Sequence, residues 1–322
     1  MMMKRLNLNL TKHKKAFTFV ELLIAMVILA IVSGAVIMLA YTYFNHFEQA
    51  NELSMARERG IMVVTYLEKR ILNAGLGMPS SGTSFKRAFG DLWEADDFKA
   101  YTTPVASRDW NGPIYLPEME KDEVHSSDEL VMAYALPSGV YAVSQDYVND
   151  DEEGRKIELS DPPDGFEEKI KDDPKTTKSW VLFPSVVEYP SSRLPLLIKE
   201  FDESNTITLR TINGSGKISE NDELHFVRFL RAFVESGTFY ARDMAISTIS
   251  TTQPIVEGIL DCRFSYDDRN GILSVSVLSR GNKRYSHYVA PSSLEGWETI
   301  EDSEWRKYHL TVVNKGWRVR NR

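Results

Sequence analysis

From 22 to 44 the chain is an unbroken run of uncharged, mostly apolar residues, and Glu21 is the only charged side chain between Lys15 and Asn45. At about 1.5 Å per residue that run makes roughly 35 Å of helix, enough to cross a bilayer. The helical pattern continues beyond it. Leu53, Gly60, Val64, Leu67 and Ile71 recur at spacings of three, four or seven, while Glu48, Glu52, Glu58, Glu68, Lys69 and Arg70 populate the other faces. This predicts one helix from 17 to 74, about 87 Å long, ended by Asn73-Ala74-Gly75-Leu76-Gly77-Met78-Pro79. No proline interrupts it. Ser33-Gly34 is its weakest point, since glycine costs about 1 kcal/mol relative to alanine within a helix. In lipid, such a pair lets a neighbouring helix approach closely, and that role is preferred here over a kink.

Past Pro79 the pattern changes to short apolar or alternating runs separated by Gly, Pro, Asn and Asp. Strands are expected at 129–135, 140–144, 180–183, 185–189, 196–201, 206–211, 223–233, 238–242, 255–266, 273–279 and 308–313. Asn213-Gly214-Ser215-Gly216 and Asp267-Asp268-Arg269-Asn270-Gly271 have the composition of hairpin turns. The residues from 146 to 178 are dominated by charge, with Pro162-Pro163 and Gly165, and are expected as an exposed excursion outside the core. The fold class that follows is α+β: a long N-terminal helix, half membrane segment and half amphipathic, packed on an antiparallel β-rich C-terminal domain.

Charge changes the picture by giving the apolar run a direction. Residues 1–16 carry Lys4, Arg5, Lys12, Lys14 and Lys15 and no acid, so the formal charge of −8 on the whole chain leaves −13 on 17–322. A basic flank held inside and an acidic bulk outside is the orientation expected of a single span. An ordinary secretory signal cut at Ser33-Gly34-Ala35 fits poorly, because its apolar region would exceed the usual roughly 7 to 15 residues and would contain Glu21. Cys262 is the only cysteine, so the domain has no intramolecular disulfide and the thiol is expected to be buried. An acidic domain is not a general nucleic-acid binder by bulk charge.

Glu21 needs a reason, because a carboxylate costs roughly 2.5–3.5 kcal/mol at mid-bilayer. Cutting the chain between Ala16 and Phe17 would create an α-ammonium one helical turn from Glu21, and the two charges could then be buried as a pair. A carboxylate in the first turn also suits the helix dipole. Lys14-Lys15-Ala16-Phe17-Thr18-Phe19-Val20-Glu21-Leu22-Leu23-Ile24-Ala25 resembles the processing signal of type IV prepilins and of the pseudopilins of type II secretion. The resemblance implies a prepilin peptidase that cuts after Ala16 and N-methylates Phe17, with Glu21 matching the family's glutamate at the fifth mature position. Ala16 stands where the family usually carries glycine. The implied organisation is a basic leader at 1–16, a transmembrane or filament-core helix at 17–44, an amphipathic helix at 45–75 and a periplasmic or extracellular β-rich domain at 76–322.

Shorter likenesses point to the subtype. Tyr66-Leu67-Glu68-Lys69-Arg70-Ile71-Leu72-Asn73-Ala74-Gly75 and Ser127-Asp128-Glu129-Leu130-Val131-Met132 are similar to PilW-type minor pilins. Val256-Glu257-Gly258-Ile259-Leu260-Asp261-Cys262 and the strand after it resemble a pair shared by PilW-type proteins and the J-type pseudopilins. The resemblance implies a non-enzymatic subunit that starts or tips a pilus, with other pilins and an inner-membrane assembly platform as partners. A type II secretion pseudopilin is the alternative, and a membrane-tethered periplasmic binding domain is the rival from another class. The expected location is the bacterial inner membrane, with the N-terminus cytoplasmic and the C-terminal domain periplasmic, followed by the pilus or pseudopilus.

No zinc-protease, nucleophile-elbow or Walker motif occurs, so no enzyme and no cofactor are expected. Two acidic segments carry oxygen ligands of the kind calcium takes, 149–153 and the turn with Asp267, Asp268 and Asn270, but neither has EF-hand spacing, and solvated turns are the expectation. The tail places Lys315, Trp317, Arg318, Arg320 and Arg322 close together without an acid. Such a mixture can grip single-stranded DNA. The expectation is a closing strand whose cations offset an acidic domain.

Overall fold

The computed structural model describes residues 18–79, 82–89, 112–116, 125–170, 177–184, 187–188, 192–202, 205–212, 214–243, 253–267 and 270–319. It is an α+β protein: a long N-terminal helix, α1 (Phe19–Leu72), followed by an antiparallel β-rich domain. The chain divides into two compact units between Asn51 and Glu52.

In the first unit α1 runs through Ser33-Gly34 as one helix, and the position where a Gly34 Cβ would stand is open. Its large apolar side chains are exposed from Phe19 to Phe47. A surface of that size and character is not tolerated in water and calls for lipid or other helices around it.

In the second unit α1 presents Glu52, Ala56, Gly60, Val63, Val64, Leu67 and Ile71 as one buried stripe. Two expectations about this stripe are corrected. Leu53 is 41% exposed and lies off the stripe, whereas Glu52 lies on it and is 6% exposed. The buried carboxylate is tolerated because its Oε2 accepts a hydrogen bond from the backbone N–H of Lys283 at 2.8 Å. At Gly60 an added Cβ would lie 2.6 Å from Val313 Cγ2, so this glycine permits close approach of helix and strand. The helix ends at Leu72, and Ala74 already bridges to Tyr134.

Beyond the helix lie α2 (Gly82–Phe89) and, among the described residues, two principal sheets. The larger contains β1 (Ile114–Tyr115), β3 (Leu130–Tyr141), β5 (Arg155–Glu158), β6 (Trp180–Leu182), β9 (Leu196–Asp202), β10 (Thr206–Arg210), β12 (Glu223–Glu235), β13 (Thr238–Asp243) and β14 (Gln253–Glu257). Its order is β1-β3-β12-β6-β9-β10-β5, with β13 also pairing β12 and carrying β14. The second sheet is β17-β16-β15-β2, from β2 (His125–Ser127), β15 (Ile259–Asp267), β16 (Ile272–Arg280) and β17 (Leu310–Arg318). Two small pairs complete the set, β4 (Asp146–Val148) with β11 (Gly216–Ile218) and β7 (Val187–Glu188) with β8 (Ser192–Arg193). One core joins Val63, Leu67 and Ile71 of α1 to Phe239 of β13 and to Cys262, Phe264, Val275 and Trp317 of the second sheet.

Several strand boundaries differ from the sequence reading. The expected strands at 129–135 and 140–144 are one strand, β3, because Pro137-Ser138-Gly139 sits where the register with β12 shifts. Ser138 Oγ donates to the Leu224 carbonyl at 2.6 Å, and the Gly139 N–H donates to Glu223 Oε1 at 3.0 Å, replacing ladder bonds. The single strand expected at 255–266 is two, broken at Gly258, where φ is +79° and the chain passes from one sheet to the other. The strands on either side of the turn expected at 213–216 do not pair with each other: β10 pairs with β5 and β9, and β11 pairs with β4; Asn213 lies outside the described residues. At the other expected turn, Asp267 and Ile272 do pair as the ends of β15 and β16.

The exposed excursion expected at 146–178 is also corrected. Val148, Ile157, Leu159, Phe166 and Ile170 are buried in a core with Ile198, Ile207 and Phe226. The reason is strand alternation. Lys156 and Glu158 are exposed while Ile157 and Leu159, on the opposite face, are buried, so the sequence is largely charged although its inward residues anchor the chain.

Candidate assembly site

The first turn of α1 carries a reciprocal pair of hydrogen-bonding side chains. The Thr18 backbone N–H and its Oγ1 each donate to Glu21 Oε2 at 2.9 Å, and the Glu21 N–H donates to Thr18 Oγ1 at 3.3 Å. This is a capping box, which satisfies N–H groups that the first turn otherwise leaves without partners. Thr18 was missed by the sequence reading, although Thr-x-x-Glu before an apolar run is the signature of such a box. The pair stands at the head of an exposed apolar helix that is long enough to cross a membrane. Ala16 and Phe17, the expected cut and methylation positions, lie outside the described residues.

Residues 11–37 match the family model described as "Prokaryotic N-terminal methylation motif". The motif supports a precursor of the type IV pilin or pseudopilin kind, processed by a prepilin peptidase and anchored by its N-terminal helix. It implies assembly with other pilins, and proteins of this kind are structural rather than enzymatic. No curated protein and no solved structure matches the chain.

Lys315, Trp317 and Arg318 lie in strand β17. Lys315 Nζ donates to Glu68 Oε1 at 2.7 Å, and Trp317 Nε1 donates to the same oxygen at 3.1 Å. Trp317 is buried in the core beneath the helix, and the ammonium of Lys315 stands 5.3 Å from its ring centroid. Two of the residues considered for DNA contact are therefore engaged by the protein's own helix; Arg318 is exposed, and Arg320 and Arg322 lie outside the described residues. Glu68 is the partner the sequence did not pair with them, being 247 residues from Lys315.

At the turn considered for calcium, Asp267 is occupied by Asn270: its Oδ1 accepts the Asn270 N–H at 3.1 Å and its Oδ2 accepts Asn270 Nδ2 at 2.6 Å. Asp268 lies outside the described residues. At the other acidic segment Asn149 Nδ2 donates to Asp151 Oδ2 at 2.7 Å. Among the described residues no three His, Cys, Asp or Glu side chains come together as metal ligands.

Cys262 is fully buried. Desolvation, with a smaller contribution from the neighbouring Asp261, pushes its thiol well above the ordinary range. The thiolate is the reactive form, so the native protein should react with a disulfide reagent at pH 8 far more slowly than the same protein in denaturant. Absorbance of the released thiol checks this, and equal rates would place Cys262 at a surface.

Proposed function

We propose that the chain is a minor type IV pilin of the PilW type, a structural subunit that initiates or tips a pilus. The observation that carries this reading is the methylation motif at 11–37, with Glu21 capping the start of an exposed apolar helix. In the precursor, the basic leader stays on the cytoplasmic side and the helix holds the acidic β-rich domain on the periplasmic side. After cleavage behind Ala16, Phe17 becomes the methylated terminus, and Glu21 offsets its charge or that of a neighbouring subunit while the apolar helices pack together. The size of the β-rich domain suits a tip or priming position better than a repeating shaft position. The likeness of Val256 through Cys262 to J-type proteins supports type II secretion as the second setting.

The intact mass of protein from its native host should show loss of residues 1–16 and gain of one methyl group on Phe17. An unprocessed N-terminus would overturn the pilin reading and favour a tethered binding domain.

A further inference from the structure

The connection from β16 to β17 closes over one face of the second sheet, burying Trp297, Ile300 and Ala290 against Leu260 and Leu278. Beside the β12–β13 turn it leaves a cleft of about 410 Å³. That volume falls within the roughly 300–1,000 Å³ of small-molecule sites. None of its lining residues belongs to α1.

The chemistry of the lining is specific. The guanidinium of Arg280 lies 4.3 Å from the ring centroid of Tyr308 and has no hydrogen-bond or ion-pair partner among the described residues. Asp261 accepts the Cys262 N–H at 2.8 Å through Oδ1, and its other oxygen accepts no hydrogen bond among the described residues. Burial raises the pKa of that carboxyl. Asp302 accepts the Glu304 N–H at 2.8 Å, and Trp305 is half-buried in the wall. Glu304, at the rim, is already offset by Arg284 at 2.5 Å and by Lys307.

The lining offers a fixed donor and two acceptors. The hydroxyls of a neutral polyol can accept from the fork of Arg280 and donate to both carboxylates, with no charge of their own to desolvate. The aromatic rings offer a surface for the apolar face of a sugar ring. We infer that this cleft binds a neutral pyranose residue of a glycan, held by Arg280, Asp261 and Asp302 and stacked on Trp305. The assignment gives the β-rich domain a ligand of its own, whichever filament the helix joins.

The test uses the full chain in a sugar-free detergent, titrated with methyl α-D-galactopyranoside, methyl α-D-mannopyranoside, methyl α-D-glucopyranoside and N-acetyl-D-glucosamine. D-Glucuronate and D-glucosamine serve as charged comparators, and ligand-observed NMR reads binding. At least one neutral sugar should bind saturably and more tightly than either charged one. Arg280→Lys, Asp302→Asn and Trp305→Ala should each weaken it by about tenfold or more, a loss of about 1.4 kcal/mol, at an unchanged melting temperature. Arg318→Ala, outside the cleft, should not weaken it. Should Trp305→Ala fail to fold, the two polar variants carry the test. Absence of saturable binding by any neutral sugar, binding confined to a charged sugar, or equal affinity in the folded cleft variants would overturn the assignment.

Discussion

Glu21→Ala should leave membrane insertion intact while reducing incorporation into sheared filaments by an order of magnitude or more. Insertion is indifferent or favoured, because the substitution removes a charge that is costly in lipid. Assembly is not indifferent. On the proposed reading, filament packing buries the Phe17 ammonium, and removing one member of a buried pair leaves the other uncompensated at about 3–5 kcal/mol. The structure adds a second loss, since Glu21 Oε2 also accepts two hydrogen bonds from Thr18 in the first turn of α1. Thr18→Ala separates the contributions: it removes the hydroxyl of the box, worth about 0.5–2 kcal/mol, and keeps the carboxylate. Immunoblots of membrane and sheared fractions should therefore show a severe defect for Glu21→Ala and a mild one for Thr18→Ala. Assembly of the glutamate variant at wild-type levels would end the charge-pairing proposal.

Leu67→Ala should destabilise the β-rich unit by about 2–5 kcal/mol, the range for emptying a fully buried leucine site. Leu67 is 0% exposed, in the middle of the core shared by α1 and the second sheet. Leu53 is the matched control. Both were read from the sequence as part of one apolar stripe, yet Leu53 is 41% exposed, and an exposed substitution usually changes stability by no more than about 0.5 kcal/mol. Denaturant titration of the full chain, followed by tryptophan fluorescence, should show a large fall in midpoint for Leu67→Ala and almost none for Leu53→Ala. Equal effects would mean that the buried face of the helix has been misplaced.

The contrast between those leucines shows where local pattern stops being sufficient. Spacing alone admits Leu53 to the stripe and excludes Glu52. What reverses the two is a backbone donor, the N–H of Lys283, supplied from 231 residues away. The same holds for the tail. A run of cations and aromatics around Lys315 and Trp317 is compatible with phosphate binding until Glu68 is seen to take both donors. In 146–178 the charge density hides the alternation, because the inward positions are single residues among charged neighbours.

Local physics was enough wherever one short stretch of chain carries the whole signal. The long helix is legible in this way, since an uncharged run of membrane length followed by a helical repeat leaves the backbone no better way to satisfy its hydrogen bonds. So are the prepilin-type signal around Phe17 and Glu21, the antiparallel β-rich character of the remainder and the single cysteine, which leaves no intramolecular disulfide. It took the folded chain to show that Pro137-Ser138-Gly139 continues a strand, that Gly258 passes the chain between sheets and that Arg280 and Asp261 line one cleft. Each of these depends on groups far apart in sequence meeting at hydrogen-bonding or van der Waals distance. Neither propensity nor periodicity encodes that meeting, because both describe a residue's preference for local geometry and say nothing of which distant donor, acceptor or ring will face it.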